Sequence, residues 1–261
     1  MLNYPEINNI ALQIGPIKIY WYGISYLASF ALAWWLAKIR AQKLNYHWNN
    51  EVIGDFIFYS AIGAIAGGHL GYVLFYNLKE LLYDPLFLFK TWHGGMSFHG
   101  GLAGVVICLF IFARKTKLSF IEMLDFATPL TPLGLALGRI GNFINSELWG
   151  RVTTVPWGML SEKGGPLPRH PSQLYEAFAE GIVLFIIIWI YSSKPRPKGT
   201  TSALFLCCYG VIRFTCEFFR DPDVHIGFIA ANWLTMGQLL SLPMIAVGAY
   251  MMWFYNRGKN T

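Results

Sequence analysis

Charged residues are scarce in this chain of 261 residues, where Asp, Glu, Lys and Arg together make up 13%. Soluble globular domains carry about 25%. Hydrophobic residues reach 55% instead, and the mean hydropathy is +0.42. Apolar runs of about 20 residues, the length that crosses a bilayer as a helix, recur along the whole chain. The sequence therefore predicts one all-α, polytopic membrane domain over residues 1–261 and no separate soluble domain.

Several motifs that would indicate other classes of protein are also missing. There is no Gly-x-Ser-x-Gly motif, which argues against an intramembrane serine protease. No acid-rich or histidine-rich motif suggests a metal, so we expect neither a metal nor a cofactor. The first nineteen residues lack a basic region followed by an apolar core, so no cleavable signal peptide is expected. The cysteine spacings suit neither a zinc site nor a disulfide framework, so we expect small buried side chains at Cys108, Cys207, Cys208 and Cys216.

Seven apolar runs are visible, and the loops between them carry positive charge unevenly. The runs lie at about 20–37, 52–76, 98–113, 120–143, 172–191, 200–219 and 233–255. Eleven of the twenty Lys and Arg residues form tight clusters after runs one, three, five and seven. These are Lys38, Arg40, Lys43, Arg114, Lys115, Lys117, Lys194, Arg196, Lys198, Arg257 and Lys259. Because positive loops stay in the cytoplasm, we predict about seven transmembrane helices with a periplasmic N-terminus and a cytoplasmic C-terminus.

The same distribution explains the basic character of the chain, which has a net charge of +6 and a pI near 9.1. The charges lie between apolar runs rather than on one basic surface, so we expect no nucleic-acid partner. No internal repeat is evident, although an inverted-repeat transporter would show paired broken segments in both halves. The fourth run alone concentrates helix breakers, at Pro129, Pro132, Gly134 and Gly138. We therefore predict that the fourth helix is kinked or interrupted.

One polar segment, residues 138–151, interrupts the apolar pattern at a predicted membrane boundary. It contains two arginines, two asparagines, one glutamate and three glycines. Ionisable groups at membrane depth are costly unless they are paired, so they indicate a functional site. Arginine beside amide side chains is also how proteins bind phosphate or carboxylate. The segment therefore predicts an anion-binding site.

Polar residues from distant parts of the chain are predicted to lie at the same outer end of the helices. They are Tyr22, His99, Arg139, Asn142, Asn145, Glu147, Arg151, His170, Glu176, Arg213 and Glu217. Arg213 and Glu217 are four residues apart and can pair on one helix face. Two arginines can bind a phosphate and stabilise charge on a leaving oxygen, and a histidine can accept a proton near neutral pH. We therefore predict a phospholipid-handling site that opens to the outer leaflet.

These residues also have purely structural interpretations. The Arg213–Glu217 pair can simply neutralise itself, and Arg139 can extend its charge to the membrane surface. His99 can cap its helix, and Tyr22 can be an ordinary interfacial tyrosine. The neighbouring glycines can serve close helix packing. The convergence at one membrane face favours a functional site over this set of separate explanations.

Four blocks of sequence resemble the prolipoprotein diacylglyceryl transferase family. They are residues 94–101, 138–151, 169–176 and 213–220, and the resemblance extends from Trp21 to Gln238. It implies transfer of a diacylglyceryl group from phosphatidylglycerol to the lipobox cysteine thiol of a preprolipoprotein signal peptide. A thioether forms and glycerol 1-phosphate leaves. The resemblance also implies seven spans in the bacterial inner membrane, with the site facing the periplasm among membrane lipids.

The resemblance further implies roles for individual residues. Arg139 and Arg213 would hold and polarise the phosphate, and His99 is a candidate base for the thiol. From the residues themselves, either Glu217 or Glu147 could act in catalysis by orienting an arginine or sharing protons. The headgroup site would be shaped by Tyr22, Asn142, Asn145, Glu147 and Gly150. A thiol with a pKa of about 8.5 needs only modest help to ionise, so electrostatics from the arginines is an alternative to a base.

Two departures from the family pattern limit what the resemblance implies. The family often has arginine where this chain has His69, which leaves any cationic role there open. The loop over residues 152–167 is short, so details of substrate docking are not carried over. The rival functions are a lipid transporter or scramblase, which would need polar groups along a whole path, and a purely structural membrane subunit.

Overall fold

The computed structural model describes residues 2–46, 48–222 and 227–257, which are mainly helical. The α-helices are α1 (Trp21–Lys43), α2 (Asn50–Tyr76), α3 (Leu78–Tyr83), α4 (Phe98–Lys115), α5 (Phe120–Ala127), α6 (Thr131–Asn145), α7 (Ser172–Glu176), α8 (Leu184–Tyr191), α9 (Thr200–Cys216) and α10 (Met236–Arg257). Short 3₁₀ turns occupy Pro85–Phe89, Thr91–His93 and Thr128–Leu130, and a π-helix occupies Ala177–Val183. Lys259, one of the predicted cytoplasmic cations, lies outside the described residues.

The apolar helices make the chain a polytopic membrane protein. Within the described residues, five helical segments are long and apolar enough to cross a bilayer. They are Asn50–Tyr76, Phe98–Lys115, Phe120–Asn145, Ser172–Tyr191 and Met236–Arg257. Helix α9 is apolar but has 17 residues, and α1 has 23 residues but is not among the five. A helix therefore occupies each of the seven predicted positions, while the number that cross the membrane stays a prediction.

The predicted interruption of the fourth span is confirmed. A 3₁₀ turn at Thr128–Leu130 separates α5 from α6. Pro129 lies at the start of that turn, and Pro132 lies in the first turn of α6. Proline is tolerated at such positions because the first N–H groups of a helix have no partner within it. The break therefore follows directly from the positions of the two prolines.

Small β-structures add to the predicted all-α fold. Strands β2 (Ile10–Ile14) and β3 (Ile17–Tyr20) form an antiparallel hairpin that turns at Gly15, where φ is +59°. Strands β1 (Leu2–Asn3), β4 (Met159–Ser161) and β5 (Gly165–Arg169) form a second sheet in the order β1-β4-β5. These strands have two to five residues, which is too short for a recognisable alternation of polar and apolar side chains.

The chain divides into two compact units, residues 37–124 and residues 1–36 with 125–261. In the first of these, α2 and α4 cross at glycines. A Cβ atom added to Gly67 would lie 2.8 Å from the Cα of Gly104, and one added to Gly71 would lie 2.7 Å from the Cα of Gly100. Membrane helices use small residues in this way because close backbones gain van der Waals contact. The packing interpretation of Gly100 is thereby confirmed.

The other unit uses small residues at two further helix contacts. Helices α9 and α10 pack against each other, and a Cβ atom on Gly248 would lie 2.6 Å from the backbone nitrogen of Cys207. The π-helix packs on α6, where a Cβ atom on Gly181 would overlap the side chain of Ala136. The first contact joins the sixth and seventh predicted spans, and the second joins the fourth and fifth.

We expect Gly67→Ala to destabilise the protein by about 1–3 kcal/mol, because the added methyl group overpacks the α2–α4 crossing. Gly54→Ala is the matched control in the same helix, since nothing lies within 4 Å of a Cβ atom there. Alanine favours a helix over glycine, so the control should not lose stability. Thermal unfolding of the detergent-solubilised variants measures the difference, and equal Tm values for both would contradict the proposed crossing.

Candidate functional site

Five ionisable side chains meet in the unit that contains residues 1–36 and 125–261. Arg139 lies in the third turn of α6, and Glu176 ends α7. Glu180 lies in the π-helix, Arg213 in the last turn of α9, and Glu217 directly after α9. We call these five residues the buried charge network. Its members come from three predicted spans, so only the packing of those helices brings them together.

Two of the carboxylates each bridge both arginines. One oxygen of Glu176 lies 3.0 Å from Nη1 of Arg139, and its other oxygen lies 3.0 Å from Nη1 of Arg213. Glu180 repeats this pattern, with Oε2 at 3.1 Å from Nη2 of Arg139 and Oε1 at 3.3 Å from Nη1 of Arg213. Nε of Arg139 also donates to Oε2 of Glu180 at 3.3 Å. Both guanidinium planes are therefore constrained by the same two carboxylates.

The third carboxylate connects the network to the start of α10. Oε2 of Glu217 lies 2.6 Å from Nη2 of Arg213, and Oε1 accepts a hydrogen bond from the Thr235 hydroxyl at 3.0 Å. Thr235 also accepts from the backbone N–H of Gln238, whose side chain accepts from the backbone N–H of Thr235. This reciprocal pair is a capping box, which fixes the first turn of α10. A Cβ atom on Gly237 would lie 2.7 Å from the Glu217 carboxyl carbon, so glycine permits the approach.

Burial makes these ion pairs strong and their breakage costly. The side chains of Glu176 and Glu180 are 1% and 0% exposed, whereas those of Arg139 and Arg213 are 17% and 12% exposed. An unpaired charge in such a place would cost several kcal/mol. Each guanidinium has five N–H groups, and two of them donate hydrogen bonds to carboxylates in the described part of the chain, while one further nitrogen forms an ion pair. The arginines are paired, yet each keeps N–H groups for a further anion.

The network answers two of the structural alternatives raised by the sequence. The Arg213–Glu217 pair forms as predicted, but it is part of a larger cluster rather than an isolated neutral pair. Arg139 does not extend to the membrane surface, because two buried carboxylates hold it. Glu180 was missed by the sequence reasoning. The same spacing that pairs Arg213 with Glu217 would have indicated it, since Glu180 lies four residues after Glu176 in one apolar span.

A second polar cluster lies at the C-terminal end of α6. The amide nitrogen of Asn142 donates to Oε1 of Glu147 at 2.8 Å, and that of Asn145 donates to the same oxygen at 3.4 Å. The Tyr22 side chain interacts with those of Asn142 and Tyr26. Asn142 is buried, whereas Glu147 is exposed. The structure thus brings together four of the five residues predicted to shape a headgroup site.

Two left-handed residues and the next span hold this second cluster in place. Ser146 ends α6 at φ +58°, and Leu148 has φ +56°. The Gln173 side chain donates to the Glu147 carbonyl at 2.6 Å, and the Ser172 hydroxyl donates to the Leu148 carbonyl at 3.2 Å. The block at residues 169–176 therefore positions the polar segment at 138–151. This explains physically why both blocks occur in one chain.

Gly150, the fifth predicted headgroup residue, lies in a tight backbone crossing. A Cβ atom there would lie 2.8 Å from the Cβ of His170, and the residue forms an antiparallel bridge with Arg220. Burial lowers the pKa of His170, whose Nδ1 lies 3.2 Å from the Tyr175 hydroxyl. The structure therefore gives Gly150 a packing role, whatever it contributes to a substrate.

Two further arginines of the polar blocks bind backbone instead. Arg151 donates to the carbonyls of Arg220 at 2.9 Å and Glu217 at 3.3 Å. Arg169 donates to the carbonyls of Gly164 at 2.7 Å and Gly150 at 2.9 Å, and it pairs with Asp221 at 2.8 Å. Arg169 and Asp221 are not among the predicted site residues. These contacts fold the loop that follows α6 against the segment that follows α9.

His99 belongs to the other unit, residues 37–124, and its side chain is exposed near the start of α4. Ser97 rather than His99 caps that helix, because its hydroxyl accepts from the backbone N–H of Gly100 at 3.2 Å. The helix-capping alternative for His99 is therefore wrong, and its role as a base stays a prediction. His69 is 2% exposed, with Nε2 at 3.4 Å from the Phe87 carbonyl.

The described residues contain no group of three or more His, Cys, Asp and Glu side chains arranged to hold a metal ion. The four cysteines are free, and Cys216 is buried while the others are partly exposed. The polar groups of the site are therefore two constrained guanidinium groups and three carboxylates. An amide–carboxylate cluster lies beside them on the next turn of α6. Such an arrangement can bind an oxyanion and stabilise charge that develops on it.

Comparison with known proteins gives a match along almost the entire chain. The family profile described as prolipoprotein diacylglyceryl transferase matches residues 9–254. A phosphatidylglycerol–prolipoprotein diacylglyceryl transferase of Coxiella burnetii is 57% identical over 259 residues, which cover 99% of each chain. The enzymes of that name from Legionella pneumophila and Pseudomonas paraeruginosa are 55% and 52% identical, over 97% and 98% of this chain. This chain therefore belongs to the prolipoprotein diacylglyceryl transferase family.

Proposed function

We propose that this protein transfers the diacylglyceryl group of phosphatidylglycerol to the lipobox cysteine thiol of a preprolipoprotein. The observation that carries the proposal is the 57% identity, over 99% of both chains, to a protein named for this activity. The constrained arginines support it, since they suit a phosphate in a membrane protein. A lipid transporter or scramblase is not favoured, because the full-length relatives are named as transferases.

The reaction needs stabilisation of a departing phosphate more than it needs a strong nucleophile. The cysteine sulfur bonds to the terminal glyceryl carbon, and the bond from that carbon to the phosphate oxygen breaks. The thiol proton is lost, and glycerol 1-phosphate leaves with one more negative charge than the diester carried. Arg139 and Arg213 would hold this phosphate through their remaining N–H groups, where water is scarce and charge stabilisation is large. Glu217 would orient Arg213 through its 2.6 Å contact.

The other predicted residues fit supporting roles in the same reaction. His99 would accept the thiol proton, with arginine electrostatics as the alternative means of ionising the thiol. Tyr22, Asn142, Asn145 and Glu147 would shape the headgroup site, and Gly150 would shape its loop. The amides would donate to headgroup oxygens, and Glu147 would hold them in place at 2.8 Å and 3.4 Å. No metal or cofactor is part of this proposal.

We further propose that residues 1–261 act as one transferase domain in the bacterial inner membrane. Seven spans would put the N-terminus and the site on the periplasmic side and the C-terminus in the cytoplasm. The clustering of eleven of twenty basic residues in alternate loops supports this orientation. Lipid and signal peptide would both reach the site from the membrane.

Incubating the purified protein with phosphatidylglycerol and a lipobox peptide should give thioether peptide and glycerol phosphate. Arg139→Lys should lower kcat/KM about 100-fold, because lysine keeps the charge but cannot hold a phosphate with a planar fork. Arg257→Lys is the control, since that arginine lies over Trp253 at the end of α10. Absence of product from the wild-type protein would contradict the proposed function. A fully active Arg139→Lys would contradict the phosphate role alone.

Glu147→Gln should lower kcat/KM about fivefold, since hydrogen bonds to a charged acceptor are about twice as strong as neutral ones. The substitution should weaken the hydrogen bonds that Glu147 accepts from the side-chain amides of Asn142 and Asn145. Glu162→Gln is the matched control, because Glu162 is also an exposed glutamate of the unit. Initial rates at varied phosphatidylglycerol fractions measure the effect. Equal rates for both variants would remove Glu147 from the site.

The proposed orientation is tested with reporters fused after Thr261. Green fluorescent protein should fluoresce there and alkaline phosphatase should be inactive, because the first needs the cytoplasm and the second the periplasm. The same pair fused after Lys163 should behave in the opposite way. Active phosphatase after Thr261 would reverse the predicted topology.

A further inference from the structure

Glu180 has no part in the mechanism proposed so far, although it is the most deeply buried carboxylate of the network. Its side chain is 0% exposed. One of its oxygens accepts two hydrogen bonds from Arg139, from Nε at 3.3 Å and from Nη2 at 3.1 Å. Its other oxygen accepts a hydrogen bond from Nη1 of Arg213 at 3.3 Å. Glu180 therefore contacts both cations that the proposed mechanism uses.

The contacts to Arg139 differ in kind between the two bridging carboxylates. Glu176 contacts Arg139 only at Nη1, and a single contact leaves the guanidinium group free to tilt about that nitrogen. Glu180 accepts from Nε and Nη2 together, and these two contacts, with the Nη1 contact to Glu176, restrict rotation of the guanidinium group. The remaining N–H groups of Arg139 are on Nη2, beside the contact with Glu180, and on Nη1, beside the contact with Glu176. Glu180 thus determines the direction in which Arg139 can present N–H groups to an oxyanion.

The charge of the network argues that Glu180 is not required for folding. Two arginines face three carboxyl groups in the network, so acidic side chains outnumber basic ones by one. Removing a partner from a balanced buried pair is destabilising because it leaves an uncompensated charge. Removing one carboxylate here leaves two cations and two anions instead.

We propose that Glu180 is a positioning residue for the diacylglyceryl transfer proposed above, which fixes the guanidinium groups of Arg139 and Arg213 for the departing phosphate. The proposal rests on that function and adds to it a residue that does not touch the substrate. The π-helix is consistent with it, because π-helical turns are rare and frequently lie at functional sites. The close contact of Gly181 with Ala136 explains how the π-helix comes within reach of Arg139.

The test is the isosteric variant Glu180→Gln, assayed as full-length protein with phosphatidylglycerol in mixed micelles and a lipobox peptide. The amide oxygen can accept from one arginine, but the NH₂ group cannot accept from the other. We expect kcat per folded molecule to fall 10- to 100-fold. KM for phosphatidylglycerol should stay the same or fall, since the network loses one negative charge and repels the lipid phosphate less. Tm should stay within a few degrees of the wild-type value.

Comparison variants separate positioning from structural support. Glu80→Gln removes an exposed carboxylate from α3 and should leave kcat, KM and Tm unchanged. Arg213→Gln leaves three carboxylates facing one arginine, so it should lower Tm much more than Glu180→Gln does. This order of Tm values follows from the charge count and does not depend on the reaction.

Each outcome supports or overturns the proposal. Wild-type kcat in folded Glu180→Gln overturns it, and so does a Glu180→Gln protein that cannot fold, because its role is then structural. A rise in KM with unchanged kcat would make Glu180 a contributor to substrate binding instead. If the wild-type protein forms no thioether, the proposed function itself fails. If the wild-type protein is active and Glu180→Gln equals it, only the positioning role fails.

Discussion

The burial of charge within a membrane-spanning bundle is the constraint on which this structure depends. Arg139 and Arg213 lie in apolar helices, where neither can remain without a partner. Glu176 and Glu180 meet this need by bridging both arginines, and together they tie α6 to α9 through the fifth span. The relative positions of these helices are therefore dictated as much by ion pairing as by the packing of apolar surfaces.

Small residues make this pairing geometrically possible. Gly181 lets the π-helix approach α6 at Ala136, one turn before Arg139, and Gly237 leaves room for the carboxylate of Glu217 at the start of α10. A methyl group at Gly181 would push the π-helix away from α6, and one at Gly237 would displace the Glu217 carboxylate. Van der Waals contact between close backbones and electrostatic pairing thus stabilise the same arrangement.

Helix α6 carries two different polar clusters on successive turns. Arg139 faces the buried charge network, whereas Asn142 faces Glu147 in the loop after the helix. The first cluster is mostly buried and ionic, and the second lies at the end of the helix beside an exposed carboxylate. This separation suits a lipid headgroup, which has a charged phosphate and a neutral polyol that need different partners. The left-handed turn at Ser146 is what directs the loop back toward Asn142.

The sequence by itself determined the class of the protein, the positions of the helices and the family, because hydropathy, helix breakers and local motifs are properties of contiguous residues. The pair Arg213–Glu217 was equally predictable, since four residues along a helix is a local distance. Only the tertiary structure decided that Glu180 joins Arg139 to Arg213, and that Arg151 and Arg169 bind backbone carbonyls. Those contacts depend on how far apart separate helices and loops lie in space, and helical periodicity carries no information about that distance.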